Sequence, residues 1–594
     1  MENAMSSDFG PHSPQWFSRI EAPERVESPD QVDWDVTTDF AVVGYGGAGI
    51  SAALQAAEKG LKVLAVDAFG GGGATAMNGG IFYAGGGTPI QRAAGVTDSV
   101  EAMYRYLNLE VQDVVSPQTL RRFCEGSVAD LEWLQGHGVR FDSTYYTKKT
   151  FYPPSGYFLY HSDSSLAASC AAVAEPAPRG HKYWHPPVNQ AVGFGVHLTE
   201  PLQQRARARG VEFWPRTEAR RLVLCARGEV VGLVVIRMPP GSPHTQAYID
   251  AQERARQLLQ KLPSSMPGFA RLERKAERYW RKADELQREH GVVQRIRATR
   301  GVCLSAGGFI WNRQMLAAHS PKYISNMAMG SPGGDNGSGI RLGQSAGGEA
   351  ALMERVSSWR FINPPSQWPK GILVNSQGQR FVNEELYGAA IGLKMNEHQQ
   401  GRGYIILDRT LYRGAWKSAV LENLFPFMRL PLVLALLFQT RKASTLQGLA
   451  QKLGMPAANL REAVARYNRA AEGLEPDAFG KSRSECHALS DGPFYAVDVS
   501  ASSKLFPCSA MTVGGLRVDE DSGQVLREDR TRITGLYAAG RTAIGLPSNL
   551  YVSGLSAADC VFSGRRAARH ASSQASGEPC LTAPEYSKSK QSIK

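Results

Sequence analysis

Two hydroxyl groups stand two residues apart in Asn549-Leu550-Tyr551-Val552-Ser553-Gly554-Leu555, and a third, Tyr387, closes the run GQRFVNEELY at 378–387. A phenol with a reference pKa of about 10 is a poor base unless its anion is stabilised, and a serine beside it can relay a proton towards water. Such groups suit proton removal next to a carbonyl, where a hydrogen bond to the ketone oxygen steadies the forming enolate. The plainer reading is that each of the 21 tyrosines is a packed aromatic with a satisfied hydroxyl, and that Ser553 caps the helix after it.

A glycine pattern supplies the second chemistry. The apolar run Asp39–Val43 leads into Gly44-Tyr45-Gly46-Gly47-Ala48-Gly49, then a helix-like ISAALQAAEK at 50–59, and a second apolar run at 61–66 ending at Asp67. Gly44 makes a tight turn, Gly46 admits a pyrophosphate to the backbone, and Gly49 lets helix and strand pack closely. The helix start, with Gly47 and Ala48, offers free N–H groups to phosphate, and Asp67, 18 residues after Gly49, can accept from ribose hydroxyls. Nicotinamide is the default ligand of such a unit. The glycine-rich GGGGATAMNGG at 70–80 and AGGGT at 84–88 bring backbone to a second, extended part of the ligand, which shifts the choice to FAD.

These segments resemble the flavoprotein superfamily of fumarate reductases, succinate dehydrogenases and 3-ketosteroid dehydrogenases over most of the chain. The likeness continues through LSAGGF at 304–309, GDNGSGI at 334–340, GLYAAG at 535–540 and SGLSAAD at 553–559, although Ser338 stands where family members often have Asp. It implies that Ala74, Thr75, Asn78, Gly79, Gly80, Ala306, Gly307, Gly540, Gly554, Leu555 and Ser556 join the first glycine motif and Asp67 in holding FAD. It also implies an α/β fold: a Rossmann-like FAD-binding domain built from both chain ends, with an inserted α+β capping domain that carries catalytic residues. The expected divisions are an extension at 1–35, the FAD domain at 36–345 and 496–572, the cap at 346–495, and a polar tail at 573–594. Members that bind flavin covalently use a histidine in the glycine-rich loop; residues 70–88 contain none, so the FAD is expected to be non-covalent.

Within the superfamily, dicarboxylate reductases usually place a histidine just ahead of TxGG. Here the segment reads PCSAMTVGG at 507–515, with TxGG intact and the histidine missing. Phe494, Tyr495, Phe506, Leu546, Leu550 and Tyr551 are expected to give an apolar, aromatic pocket, which suits a sterol-like skeleton better than a dianion. Tyr387 matches a position where ketosteroid dehydrogenases carry an active-site tyrosine, and LYVSGLSAADCVFSGRR at 550–566 is closer to the 3-oxo-5α-steroid 4-dehydrogenases than to the 1-dehydrogenases. The resemblance therefore implies desaturation of a 3-ketosteroid. Tyr551 and Ser553 remove the C4 proton, Tyr387 assists through the carbonyl or the relay, and hydride passes from C5 to flavin N5. The tyrosine roles can be exchanged in this reading. The alternatives are 1-dehydrogenation, flavin-dependent reduction of a conjugated acid or enone, and a non-catalytic flavoprotein that docks on membrane.

Composition narrows the partners. The net charge is +12, but residues 250–300, with 13 Lys/Arg and seven Asp/Glu, carry half of it. Apolar residues there recur at helical spacing, giving a basic helical hairpin at about 245–295 whose charge reads as a solvated face, with no nucleic acid as partner. The eight cysteines form no CxxC pair, so no disulfide framework, zinc site or internal iron–sulfur route is expected. That leaves an external electron acceptor, a quinone or a separate carrier. No secretory signal opens the chain, and a cytoplasmic location fits. The most apolar stretch, LFPFMRLPLVLALLF at 424–438, is too short to span a bilayer and reads either as a buried helix or as a surface dipping into lipid, a peripheral contact at the inner face of the cell membrane.

Overall fold

The computed structural model describes residues 10, 11, 13, 15–186, 193–422 and 424–574. Its principal sheet has nine strands. Val36–Val43 is central, and Phe40 to Val43 are all buried, as a parallel strand covered on both faces requires. Val63–Asp67 and then Glu212–Pro215 lie parallel on one side of it. On the other side lies Val292–Leu304, whose end pairs in turn with Arg532–Ala538. This is a doubly wound order in which the last strand comes from the far end of the chain.

Val292–Leu304 is shared between two arrangements. Residues 292–297 pair antiparallel with Val230–Arg237, while 302–304 sit between the parallel partners 41–43 and 536–538. Thr217–Leu224 extends the antiparallel part, and Glu24–Arg25 adds to its edge. The segment before residue 36 therefore packs onto the sheet, with Trp16 and Ile20 buried.

The helix Gly47–Glu58 starts inside the glycine motif, three residues earlier than the apolar pattern suggests. It crosses the closing helix Leu555–Ser573 at very short range: an ideal Cβ on Gly564 would lie 2.4 Å from the Ala48 carbonyl oxygen. The basic hairpin is present as Pro243–Gln260 and Phe269–His290, joined across a small core of Ala255, Leu258, Leu259, Phe269 and Ala276.

A second, antiparallel sheet runs in the order Ile372–Val374, Tyr404–Leu407, Phe494–Asp498, Thr440–Ala443. Its core draws on residues from Ile362 to Val499. The strand Phe494–Asp498 runs across position 495, where the sequence divides the chain. The apolar stretch forms the helix Pro426–Phe438, and it is not the buried helix that its hydropathy suggests. Met428, Leu432, Ala435 and Leu436 face inward, but Leu430 and Phe438 are 59% and 63% exposed. None of the described helices is long and apolar enough to cross a membrane.

Candidate functional site

The first glycine motif turns the chain between strand and helix. Gly44 has φ of 92°, and an ideal Cβ there would sit 2.7 Å from the Ala306 Cα. A Cβ on Gly49 would lie 1.9 Å from the Gly44 carbonyl oxygen, so only glycine permits this crossing. Gly46 differs: its φ is ordinary at −87°, and the nearest protein atoms to an added Cβ are 3.8 Å away. Nothing in the protein demands glycine at 46, which is what close approach of a ligand to that backbone requires. Gly46 caps the helix without a side chain to cover its start, so the positive end of the helix dipole lies at the glycine turn beside the buried Ala48.

Asp67 ends its strand with each carboxylate oxygen accepting one backbone N–H, from Tyr45 at 2.8 Å and from Phe69 at 2.7 Å. The carboxylate is thereby fixed while each oxygen keeps a free lone pair. Ala74 and Thr75 lie in the short helix Gly73–Ala76, and the Thr75 hydroxyl accepts from Gly47 N–H at 3.1 Å. Asn78 accepts from Gly80 N–H at 2.8 Å, and the Gly79 carbonyl accepts from Tyr152 at 2.8 Å. Ala306 and Gly307 follow the strand end at Leu304, and Gly540 follows Ala538 on the adjacent strand, its N–H held by Ser563 at 2.9 Å. Gly554, with φ of 89°, caps the closing helix; an ideal Cβ there would meet Tyr83 N at 2.6 Å. Leu555 and Ser556 begin that helix. The donor set of backbone N–H groups, two helix starts and one carboxylate fits FAD.

The sequence leaves Tyr387 far from Tyr551 and Ser553, and the fold brings it to them. The Ser553 side chain lies close enough to three phenols, Tyr387, Tyr551 and a further one, Tyr160, to ease the ionisation of each. Gly554 is the cap of the closing helix, which leaves the Ser553 hydroxyl free of that duty. Its backbone is pinned instead: Ser553 N–H donates to the Ser162 carbonyl at 3.2 Å, and the Ser162 hydroxyl donates to the Ser553 carbonyl at 3.1 Å. Tyr387 is positioned by its own N–H, which donates to the Ser164 hydroxyl at 2.9 Å.

The phenols are not electrostatically equal. Burial pushes Tyr160 and Tyr387 well above the ordinary tyrosine value, and the neighbouring Tyr551 adds to the rise at Tyr387. Burial also raises Tyr551, but three groups oppose it there: the Gly554 N–H, the Arg541 guanidinium and Ser553. The Gly554 N–H donates to the Tyr551 oxygen at 3.3 Å, and that oxygen lies at the N-terminal end of the closing helix. Tyr551 stays above the ordinary tyrosine value, but it is the phenol of the three whose anion the surroundings disfavour least.

Phe494, Tyr495 and Phe506 do not line this cluster. Tyr495 stacks on Tyr412 at 3.8 Å, Phe506 packs on Trp368, and all three belong to the core of the antiparallel sheet. The aromatic neighbours of the phenols are Trp359, 4.8 Å from Tyr551, and Phe361, 5.3 Å from Tyr387 and stacked on Phe151 at 4.0 Å. Behind Tyr160 lies an apolar cluster of Ile81, Tyr152, Phe194, Phe425 and Met428.

Sequence reasoning missed the segment 160–164, Tyr-His-Ser-Asp-Ser. Its signal was a run of buried-type polar residues, HSDSS, directly after an apolar strand. Asp163 accepts from Tyr83 at 2.9 Å, and the Ser164 N–H donates to Tyr106, whose hydroxyl donates to Glu110. Burial raises the Glu110 carboxyl to about 7. Its folded pKa exceeds the unfolded value, so its stabilisation is complete below the unfolded pKa of about 4.5 and is lost as pH rises through 7. Glu110→Gln is expected to raise the melting temperature at pH 8 and to give no gain at pH 4. The upper bound is about 3 kcal/mol, the free energy that separates a carboxyl titrating at about 7 from one titrating at 4.5. Equal effects at both pH values in thermal melts would contradict a buried, protonated Glu110.

A parallel-sheet cradle for a dinucleotide, a second glycine loop and a phenol cluster beside them define an FAD-dependent oxidoreductase. The family model described as FAD binding domain matches residues 39–551, and the chain belongs to that family with FAD as its cofactor. The chain is 37% identical over 526 residues to the 3-oxo-5-alpha-steroid 4-dehydrogenase of Comamonas testosteroni, covering 87% of this chain and 94% of that protein. It is 27% identical over 569 residues to a 3-oxosteroid 1-dehydrogenase of Mycobacterium tuberculosis, covering 86% and 94%. Among solved structures, it superposes with a TM-score of 0.75 on the 3-ketosteroid-delta4-(5alpha)-dehydrogenase of Rhodococcus jostii RHA1 in complex with 4-androstene-3,17-dione. That match has 29% identity and covers 93% of this chain and all of the other.

Proposed function

We propose that the protein desaturates a 3-ketosteroid between C4 and C5, giving a 4-en-3-one. The observation that carries this reading is the meeting of Tyr160, Tyr387, Tyr551 and Ser553 in one cluster bordered by aromatic and apolar side chains. FAD, when bound at the cradle described above, supplies the hydride acceptor for the hydrogen that leaves C5. Tyr551 takes the C4 proton, because its anion is the one supported by a backbone N–H, a helix N-terminus and Arg541. Ser553 passes that proton on. Tyr387, held protonated by burial, is the donor suited to the C3 ketone oxygen, where a hydrogen bond stabilises the enolate, while the Tyr160 hydroxyl donates to the Phe151 carbonyl at 3.3 Å. The two electrons then leave to an external acceptor, a quinone or a separate carrier. The reading takes 36–345 and 496–572 as the FAD-holding unit, 346–495 as the cap, and includes peripheral contact with a lipid surface.

The test is anaerobic mixing of the purified yellow protein with a panel of saturated 3-ketosteroids. Flavin bleaching with formation of the 4-en-3-one is the expected result. If no member of the panel bleaches the flavin, the substrate class is wrong.

A further inference from the structure

The helix Pro426–Phe438 is apolar on both faces, yet only one face is buried. Phe427, Leu430, Leu437 and Phe438 point outward, and Val420 and Leu421, at the end of the preceding helix Arg409–Leu421, are also exposed, Leu421 to 78%. A surface helix of a water-facing protein carries polar residues on that side, and contiguous exposed apolar groups mark a contact site. The charges around the patch select the occupant. Residues 409–442 contain six cations, Arg409, Arg413, Lys417, Arg429, Arg441 and Lys442, against one acid, Glu422. Arg413, Lys417, Arg429, Arg441 and Lys442 are exposed. Exposed apolar side chains on a segment this rich in exposed cations match the interface of an anionic bilayer, where basic residues near the surface add to the attraction.

The same helix reaches inward. Phe425, its cap, and Met428, on its first turn, pack in the apolar cluster with Ile81, Tyr152 and Tyr160, and Tyr160 is one of the phenols around Ser553. The helix that carries the outer patch and the phenol Tyr160 thus share one apolar cluster. We propose that this helix and the tip of the preceding one lie on an anionic lipid surface, and that an apolar substrate enters the phenol cluster from the lipid side. The docking stands on the patch alone; the entry route rests on the steroid reading above.

The experiment uses the full-length FAD-loaded protein. Flotation is measured with phosphatidylcholine vesicles with and without phosphatidylglycerol, for the natural chain, L430E/F438E and R441E/K442E. Turnover is measured with a 3-ketosteroid presented in vesicles and, separately, solubilised in cyclodextrin. The natural chain is expected to float with the anionic vesicles and to be released by high salt. Both variants should lose at least about tenfold in vesicle binding, since tenfold is one 1.4 kcal/mol increment. L430E/F438E should keep its turnover in cyclodextrin while losing it with vesicle-borne substrate. A natural chain that stays with the unbound fraction overturns the docking, as does flotation of L430E/F438E equal to the natural chain. A drop in oligomeric state in L430E/F438E without vesicle binding by the natural chain assigns the patch to self-association and also overturns it. Flotation by a protein that turns over no ketosteroid in cyclodextrin leaves the docking supported and sinks the substrate reading instead.

Discussion

Tyr551→Phe is expected to lower the rate of flavin reduction by saturated 3-ketosteroid by about 10²- to 10⁴-fold, the range for loss of a positioned proton-transfer group. The flavin content should be unchanged. The substitution removes one oxygen from a ring that packs on Trp359 and leaves the Gly554 backbone, whose carbonyl accepts from Tyr83 N–H at 3.2 Å, in place. Tyr387→Phe is expected to lose less at saturating substrate, because Tyr551 remains to take the proton and only the hydrogen bond proposed for the ketone oxygen is removed. Ser553→Ala should slow reduction without abolishing it, since the base survives and only its proton outlet is lost. Stopped-flow bleaching under anaerobic conditions measures all three. Near-normal bleaching by Tyr551→Phe with full flavin would remove Tyr551 from proton abstraction and transfer the role to Tyr387.

The second large effect concerns the cofactor itself. Gly46→Val is expected to give a folded but colourless protein. An added Cβ at 46 meets no protein atom closer than 3.8 Å, so the strand–helix crossing survives while the approach of a pyrophosphate is blocked. Gly49→Val should behave differently, because its Cβ would lie 1.9 Å from the Gly44 carbonyl oxygen and the crossing itself must open. Circular dichroism and melting separate the two: Gly46→Val keeps the native melt without ligand, and Gly49→Val does not. Retention of flavin by Gly46→Val would show that the dinucleotide does not run over this backbone.

The two sites were not equally legible in the sequence. The cradle is local: strand, turn, helix and acid follow one another within about 30 residues, and each glycine has a conformational reason that can be stated without a fold. Tyr551 and Ser553 stand out in the sequence because they sit two residues apart before a glycine. Their meeting with Tyr387 was not, since it depends on how two distant segments pack. Tyr160 ends a two-residue strand and Asp163 and Ser164 follow it in irregular chain, so no period marks them, and the hydrogen-bond partners of Asp163 and Ser164, which are Tyr83, Tyr106 and Tyr387, come from distant segments. Phe494 and Tyr495 misled for a related reason. An aromatic residue near a motif in sequence is committed by strand pairing, and the partner strands 404–407 and 440–443 placed them in another core. Hydropathy could not reveal which faces of the helix Pro426–Phe438 are covered, because that depends on neighbours it does not encode.

The strand Arg532–Ala538, seated against 302–304, carries a consequence for how the protein comes into being. On a ribosome, the first glycine motif emerges more than five hundred residues before the helix that must cross it at Ala48 and Gly564. Until the chain is almost finished, the edge at Val302–Leu304 stays open and the early helix has no companion. The stretch from Ile362 to Val499, with its own sheet and core, has all its partners in hand well before then. Synthesis thus runs through a long interval in which a later-made unit can be complete while the earlier-made one waits, an exposed period of the kind that long-range pairing imposes. A nascent chain stalled before residue 532 should accordingly hold no FAD, and one released past residue 573 should acquire it.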